Sequence, residues 1–288
     1  MKLTTQTYAL LAVMFLISAD VWPRSDQLRA TLGSAGRVTL GVLEWFGGIA
    51  EFCARLIKTA VMPPYEGKEL VRQMDEIGAK SLPLVALAGA AIGVVLSLHT
   101  RDSLTQFGAE SMLPTLIILS LVKETGPIIT ALVVSGRVGA GIGAELGSMK
   151  VTEQIDAIEA SAVNPYKFLA ATRVLACMLM LPLLTIVADF CGIITGWIAN
   201  ALVEPITLKL FLTQGLKDAA FTDLLPSTFK TVTFGFIIGM VGCFQGMRAR
   251  GGTAGVGRAA TSAVVLSSLF VILADVVLVR LIITFYPQ

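Results

Sequence analysis

Hydrophobic positions in this chain fall into long unbroken runs separated by short polar stretches, the pattern of helices that cross a membrane. Five runs predict spans at about residues 82–99, 112–138, 168–199, 228–247 and 261–284; only the first falls clearly short of the ~20 residues a crossing needs. Upstream the pattern changes. From Leu28 to Val61 the polar residues Glu44, Glu51, Arg55 and Lys58 recur at helical spacing on one face. Leu43, Trp45, Phe46, Ile49, Phe52, Leu56 and Ile57 fill the rest, around a Gly47-Gly48 interruption. This predicts an amphipathic helix lying in the membrane interface. Pro63-Pro64 ends it, and a polar segment with Leu70, Met74 and Ile77 on one side leads to Pro83. Residues 1–23 hold an apolar stretch from Tyr8 to Ala19, about 20 Å of helix against a ~30 Å hydrocarbon core. We expect an uncleaved interfacial or anchoring segment there, a cleaved signal being the alternative. The expected organisation is therefore 1–23, an amphipathic cytoplasmic-side region at 24–81, and an all-α membrane domain of five helices at 82–288.

Charge orients that path. Eight Lys and Arg lie between Trp22 and Leu82, and the loops around 148–166 and 248–258 add more, whereas those near Arg101 and between Glu204 and Pro226 carry few. All three basic segments fall on one side of a five-span path, so that side reads as cytoplasmic and the C-terminus faces out.

Composition agrees. A 288-residue chain that is 55% hydrophobic and 15% charged, with mean hydropathy +0.79, has more apolar surface than a soluble core can hide. The net charge of +2, with its basic residues scattered, leaves no nucleic-acid footprint. Cys53, Cys177, Cys191 and Cys243 lie far apart, which predicts neither a disulfide framework nor a metal site. His99 is the single histidine, and there is no G-x-S-x-G or H-E-x-x-H motif, so the chain reads as non-catalytic.

Ser135, Gly139, Gly143 and Gly147 repeat every four residues, a stripe that lets another helix approach closely. Gly89 with Gly93, Gly192 with Gly196, and Gly235 with Gly239 repeat the device. Two glycine clusters imitate nucleotide loops. Gly139 to Ala144 fits G-x-G-x-x-A but follows no strand, and Gly252 to Ala259 has Arg258 and Ala259 where a phosphate-binding Lys and a Ser or Thr must stand. No cofactor is expected on this chain, ATP included.

Lys123 and Glu124 lie about ten residues, roughly 15 Å, inside the second span, where charge is costly enough to mark a functional site. Gly126-Pro127 follows, so a kink and a polar notch are expected. The pair would line a lipid pocket, or else neutralise itself or join Asp189 or Asp275, the other charges noted within the spans. Further on, Thr152 is expected to cap a short helix within 148–163 whose first turn carries Glu153 and Asp156. Ile155, Ile158 and Ala162 would share one face, and exposed isoleucines with an acidic rim would suit docking into a groove of another protein.

Two stretches carry a family resemblance: Lys123-Glu124-Thr125-Gly126-Pro127, and the ungapped run SGRVGAGIGAELGSMKVTEQIDAIE from Ser135 to Glu159. From about Leu28 to its C-terminus the chain resembles the MlaE family of permeases, the membrane subunits of Mce-associated ABC transporters that move phospholipids or related lipids. The resemblance implies an inner-membrane subunit driven by a separate cytoplasmic ATPase, which would meet the coupling helix at Glu153, Gln154, Ile155, Asp156 and Ile158. It also implies a lipid cavity lined partly by Lys123 and Glu124, and a periplasmic MCE-domain protein on the outer face. Five short spans are few to enclose a two-chain lipid, so a homodimer is expected. The competing reading is a secondary transporter or channel that uses Lys123, Glu124, Asp189 and Asp275 as an ion relay.

Overall fold

Each apolar run becomes one long helix, because within a bilayer a helix satisfies every backbone N–H and C=O inside its own segment. The computed structural model describes residues 34–61, 66–217 and 221–285. Expectations for residues 1–23, for the start of the amphipathic helix at Leu28 and for Pro63-Pro64 lie outside the described residues. The elements are α1 (Ser34–Val61), α2 (Gly67–Gln106), α3 (Glu110–Val151), α4 (Gln154–Ala160), α5 (Tyr166–Ala201), α6 (Leu208–Gly215), α7 (Phe221–Met247) and α8 (Gly252–Phe285). Helices α2, α3, α5, α7 and α8 are long and apolar enough to cross a membrane, and the chain is an all-α, multi-pass integral membrane protein. Along α1, Leu43, Phe46 and Ile57 are exposed, and Glu51 pairs with Arg55 at 2.5 Å.

Helix α2 departs from expectation. The polar segment before Pro83 is no separate linker: one helix of 40 residues contains Pro83. Proline removes an N–H and opposes the carbonyl four residues back. Here it stands on the exposed side, and the buried side continues unbroken through Gln73, Ile77, Ser81, Val85, Gly89, Gly93 and Ser97. That strict spacing of four slants across the helix, so a partner packs along it as ridge into groove.

Small residues set the crossings. A Cβ on Gly89 would strike the backbone of Ala188, and one on Gly93 the carbonyl of Gly192, so α2 and α5 touch backbone to backbone. The Thr195 hydroxyl seals this contact by donating to the Ala90 carbonyl at 2.8 Å. The paired numbers rise together, so these helices are parallel. Gly235 lies on Cys177 and Gly239 on Val174, an antiparallel contact of α7 with α5. Gly242 and Gly246 of α7 take Ile142 and Leu146 of α3, again in parallel. The stripe Ser135, Gly139, Gly143 and Gly147 faces α8 of the same chain. Gly143 meets Ala259 and Ala263, Gly147 meets Ala249, Val256 and Ala259, and Ser135 Oγ lies 2.7 Å from Ser267 Oγ.

Helix α3 runs without interruption through the Gly126-Pro127 position. A π-helical turn at Leu121–Thr125 leads directly into Gly126-Pro127, and a second occupies Ser135–Gly139. The wider turn makes room for the proline ring without breaking the helix. Helix α6, in a connection where the sequence pattern showed no element, is capped by Thr207, whose hydroxyl accepts from the Leu210 N–H at 3.4 Å. It buries Phe211 against Leu113, Ile117 and Ile118. Arg101 holds the same end together, donating to Asn200 at 2.5 Å and pairing with Glu204 at 3.2 Å.

Candidate functional site

Three helices bring their charges to one point. Lys230 of α7 is 1% exposed, and its Nζ lies 2.7 Å from Glu124 Oε2 of α3 and 3.0 Å from Asp275 Oδ1 of α8. Glu124 keeps 47% of its side chain exposed and Asp275 only 13%. Buried Lys is tolerated where carboxylates replace its water: Glu124 does so by accepting a hydrogen bond, and Asp275 adds its charge at ion-pair distance although its buried Oδ1 takes no hydrogen bond. The π turn bears on this: it changes the direction in which Lys123 and Glu124 leave the helix, and such turns recur at functional sites. Lys230 escaped the sequence reading because it stood two residues inside the expected start of its span, where a lysine snorkels to the interface. In the structure α7 begins at Phe221, nine residues earlier, so the ammonium lies within the bundle.

Of the four expected pocket charges, Glu124 and Asp275 meet on Lys230, with Lys123 next in sequence to Glu124. Asp189 stands apart on α5. Its carboxyl fills the space left by the missing side chain of Gly126, where a Cβ would collide with Oδ1. That oxygen is buried and has no hydrogen-bond partner among the described residues. Beside it lies a cavity of about 240 Å³, walled by Val122, Ile186, Phe190 and Ile193 and by Thr185, Ser227, Thr228 and Thr231.

A second polar layer, also missed from sequence, lies nearer the opposite membrane face. Arg173, 1% exposed, donates to Glu145 Oε1 at 2.7 Å and to the Leu169 carbonyl at 2.9 Å, while Arg137 donates to Ser81 at 2.6 Å. These contacts join α5 to α3 and α3 to α2.

The short helix α4 also differs from expectation. Thr152 does not cap it: its hydroxyl donates to the Ser148 carbonyl at 2.9 Å, and Glu153 precedes the helix at φ 59°. Ile155 is 3% exposed, an anchor into its own chain rather than a free knob, while Ile158 is half-buried. Ala162 leaves the helix face, at φ 61°. The Ala162 N–H bonds Glu159 O at 3.0 Å and the Val163 N–H bonds Ile158 O at 3.3 Å, a Schellman ending normally built on glycine. Lys150 pairs with Asp156 at 2.7 Å across the loop. What α4 offers outward is Ile158, Val163, Gln154 and an acidic edge of Glu153, Asp156 and Glu159.

Comparison with known proteins adds the following. A family model described as permease MlaE matches residues 70–281. A probable ABC transporter permease protein of Rickettsia typhi is 35% identical over 246 residues, covering 85% of this chain and 95% of the relative. Another from Synechocystis is 33% identical over 208 residues, 72% of this chain and 79% of that protein. The chloroplastic protein trigalactosyldiacylglycerol 1 of Arabidopsis thaliana is 30% identical over 211 residues, 73% of this chain and 60% of its own length.

Proposed function

Because the chain belongs to the MlaE permease family and is a membrane subunit of an ABC transporter, we propose that it moves phospholipids or related lipids. Two copies would enclose the path in the inner membrane, with a separate ATPase below and a periplasmic MCE-domain protein above. The observation that carries this reading is the Lys230 bridge. A buried lysine between Glu124 and Asp275 costs solvation that apolar packing would avoid, and Glu124 still presents half its side chain to the outside of the cluster. Held there, Glu124 fixes one polar wall, and Lys123 beside it supplies a compact positive charge for a lipid phosphate. The name of the Arabidopsis relative, which contains a galactolipid, points the same way.

The drive enters through α4. ATP is bound by the ATPase and not by this chain, and its closure would push on Ile158 and the acidic edge. Ile155, buried in this chain, passes that push to the adjoining ends of α3 and α5. α1, with its exposed apolar side chains, would lie in the cytoplasmic membrane interface. The ion-relay alternative loses support because Asp189 stands apart from the Lys230 bridge. The test is co-purification from native membranes: a stoichiometric ATPase subunit that dissociates on Ile158→Asp supports the reading, and a chain that purifies alone and still moves lipid sinks it.

A further inference from the structure

The cavity beside Asp189 has an uneven chemistry. Thr185 spends its hydroxyl proton on the Leu181 carbonyl at 2.9 Å, and Thr231 on the Thr228 carbonyl at 2.7 Å. Both residues line the cavity, and neither has a hydroxyl proton left to donate into it. Asp189 is the one charged residue of the lining, and its Oδ1, packed against Gly126, is buried and unpartnered. A carboxylate as the single charge among the lining residues, at membrane depth, repels a phosphate and calls for a cation that carries N–H groups. The remaining wall is apolar and reaches the surface: Ile186 is exposed, and so is Phe190, whose ring can face a cation. A ligand that enters sideways from the bilayer fits this arrangement, with its head on Asp189 and its chains along Ile186 and Phe190.

We infer that this cavity binds the primary ammonium of an aminophospholipid head group, with Asp189 as counter-ion and Thr185 and Thr231 as acceptors for its remaining N–H bonds. The inference rests on the lipid-transport reading and deepens it: the Lys123 region addresses the phosphate that all these lipids share, whereas Asp189 distinguishes one head group from another. Three acceptors match the three N–H bonds of an ammonium, and a quaternary amine offers none.

The test equilibrates the intact purified chain with vesicles of phosphatidylethanolamine, phosphatidylcholine and phosphatidylglycerol in equal parts, all with the same acyl chains, and measures the lipid retained by mass spectrometry. Phosphatidylethanolamine should be enriched about tenfold over phosphatidylglycerol, as a charge-assisted hydrogen bond would give, with phosphatidylcholine well below it. Asp189→Asn should abolish the enrichment. Thr231→Val, which removes one acceptor at constant shape, should reduce it in part, and decides the matter if the Asp189 variant does not fold. Equal retention of the three lipids, or enrichment that survives Asp189→Asn, overturns the head-group assignment and leaves lipid transport standing. Loss of the enrichment when sodium replaces choline at equal ionic strength makes the cavity a metal-cation site and overturns it too. Retention of no lipid at all overturns the transport reading with it.

Discussion

Replacing Lys230 by Met keeps the length of the side chain and removes the charge that two carboxylates share. Glu124 and Asp275 would then face each other unpaired, since both lie within 3.0 Å of the same ammonium. The two losses are unequal. Glu124, with 47% of its side chain exposed, can turn to water, and its share is about 1 kcal/mol or less. Asp275, 13% exposed, cannot, and breaking a buried pair in this way costs about 3–5 kcal/mol. For a chain of this size that lowers the melting temperature by roughly 6–20 °C. Adding Asp275→Asn to Lys230→Met should recover most of the loss, whereas adding Glu124→Gln should recover little. Thermal unfolding of the purified protein in one detergent, followed by the reactivity of buried Cys177 and Cys243, reads both effects. A Lys230→Met protein that melts within 2 °C of the parent would refute the reasoning, because the ammonium could not then be desolvated.

Other consequences are simpler to state. Ala162→Gly should stabilise the end of α4 by about 0.5–1 kcal/mol, because alanine occupies a left-handed position that glycine adopts freely, and Ala162→Val should do the opposite; melting curves decide. Gly93→Ala places a methyl group on the Gly192 carbonyl and should cost at least 2 kcal/mol or prevent insertion, whereas Gly141→Ala meets nothing within 4 Å and should be neutral or gain up to about 1 kcal/mol. If Gly141→Ala folds well yet fails to form dimers, its open face is the contact between copies. A cysteine at Thr253 should be shielded from an impermeant thiol reagent in intact cells and one at Lys209 should react, as the distribution of Lys and Arg requires; the reverse labelling would invert the path.

Periodicity and apolar length were enough to reveal the five spans, because a bilayer admits only helices and closed barrels, and unbroken apolar runs of about 20 residues fit the helix. The small-residue stripes were legible as contacts but not as pairings. Nothing in a spacing of four tells Gly143 to meet Ala263 rather than a second copy. Glu124 and Asp275 could be picked out because each stood deep in an apolar run. Lys230 could not, since its depth depended on where α7 begins, nine residues before it. At α4 the acidic residues were visible and the backbone was not: two non-glycine residues at positive φ, Glu153 and Ala162, turn Thr152 out of the capping position and set Ile155 inward. α6 was hidden because eight residues are too few for periodicity to stand out from a loop.

The central claim is that this chain is the lipid-conducting membrane subunit driven by an ATPase that docks on α4. The most direct measurement places the chain and its co-purified ATPase in liposomes and follows the movement of a fluorescent phospholipid after ATP is added. The account predicts movement that requires ATP hydrolysis and is lost on Ile158→Asp, with the chain still inserted and the ATPase no longer bound. An assembled, ATP-hydrolysing complex that moves no lipid, or movement that proceeds equally without ATP, would contradict it.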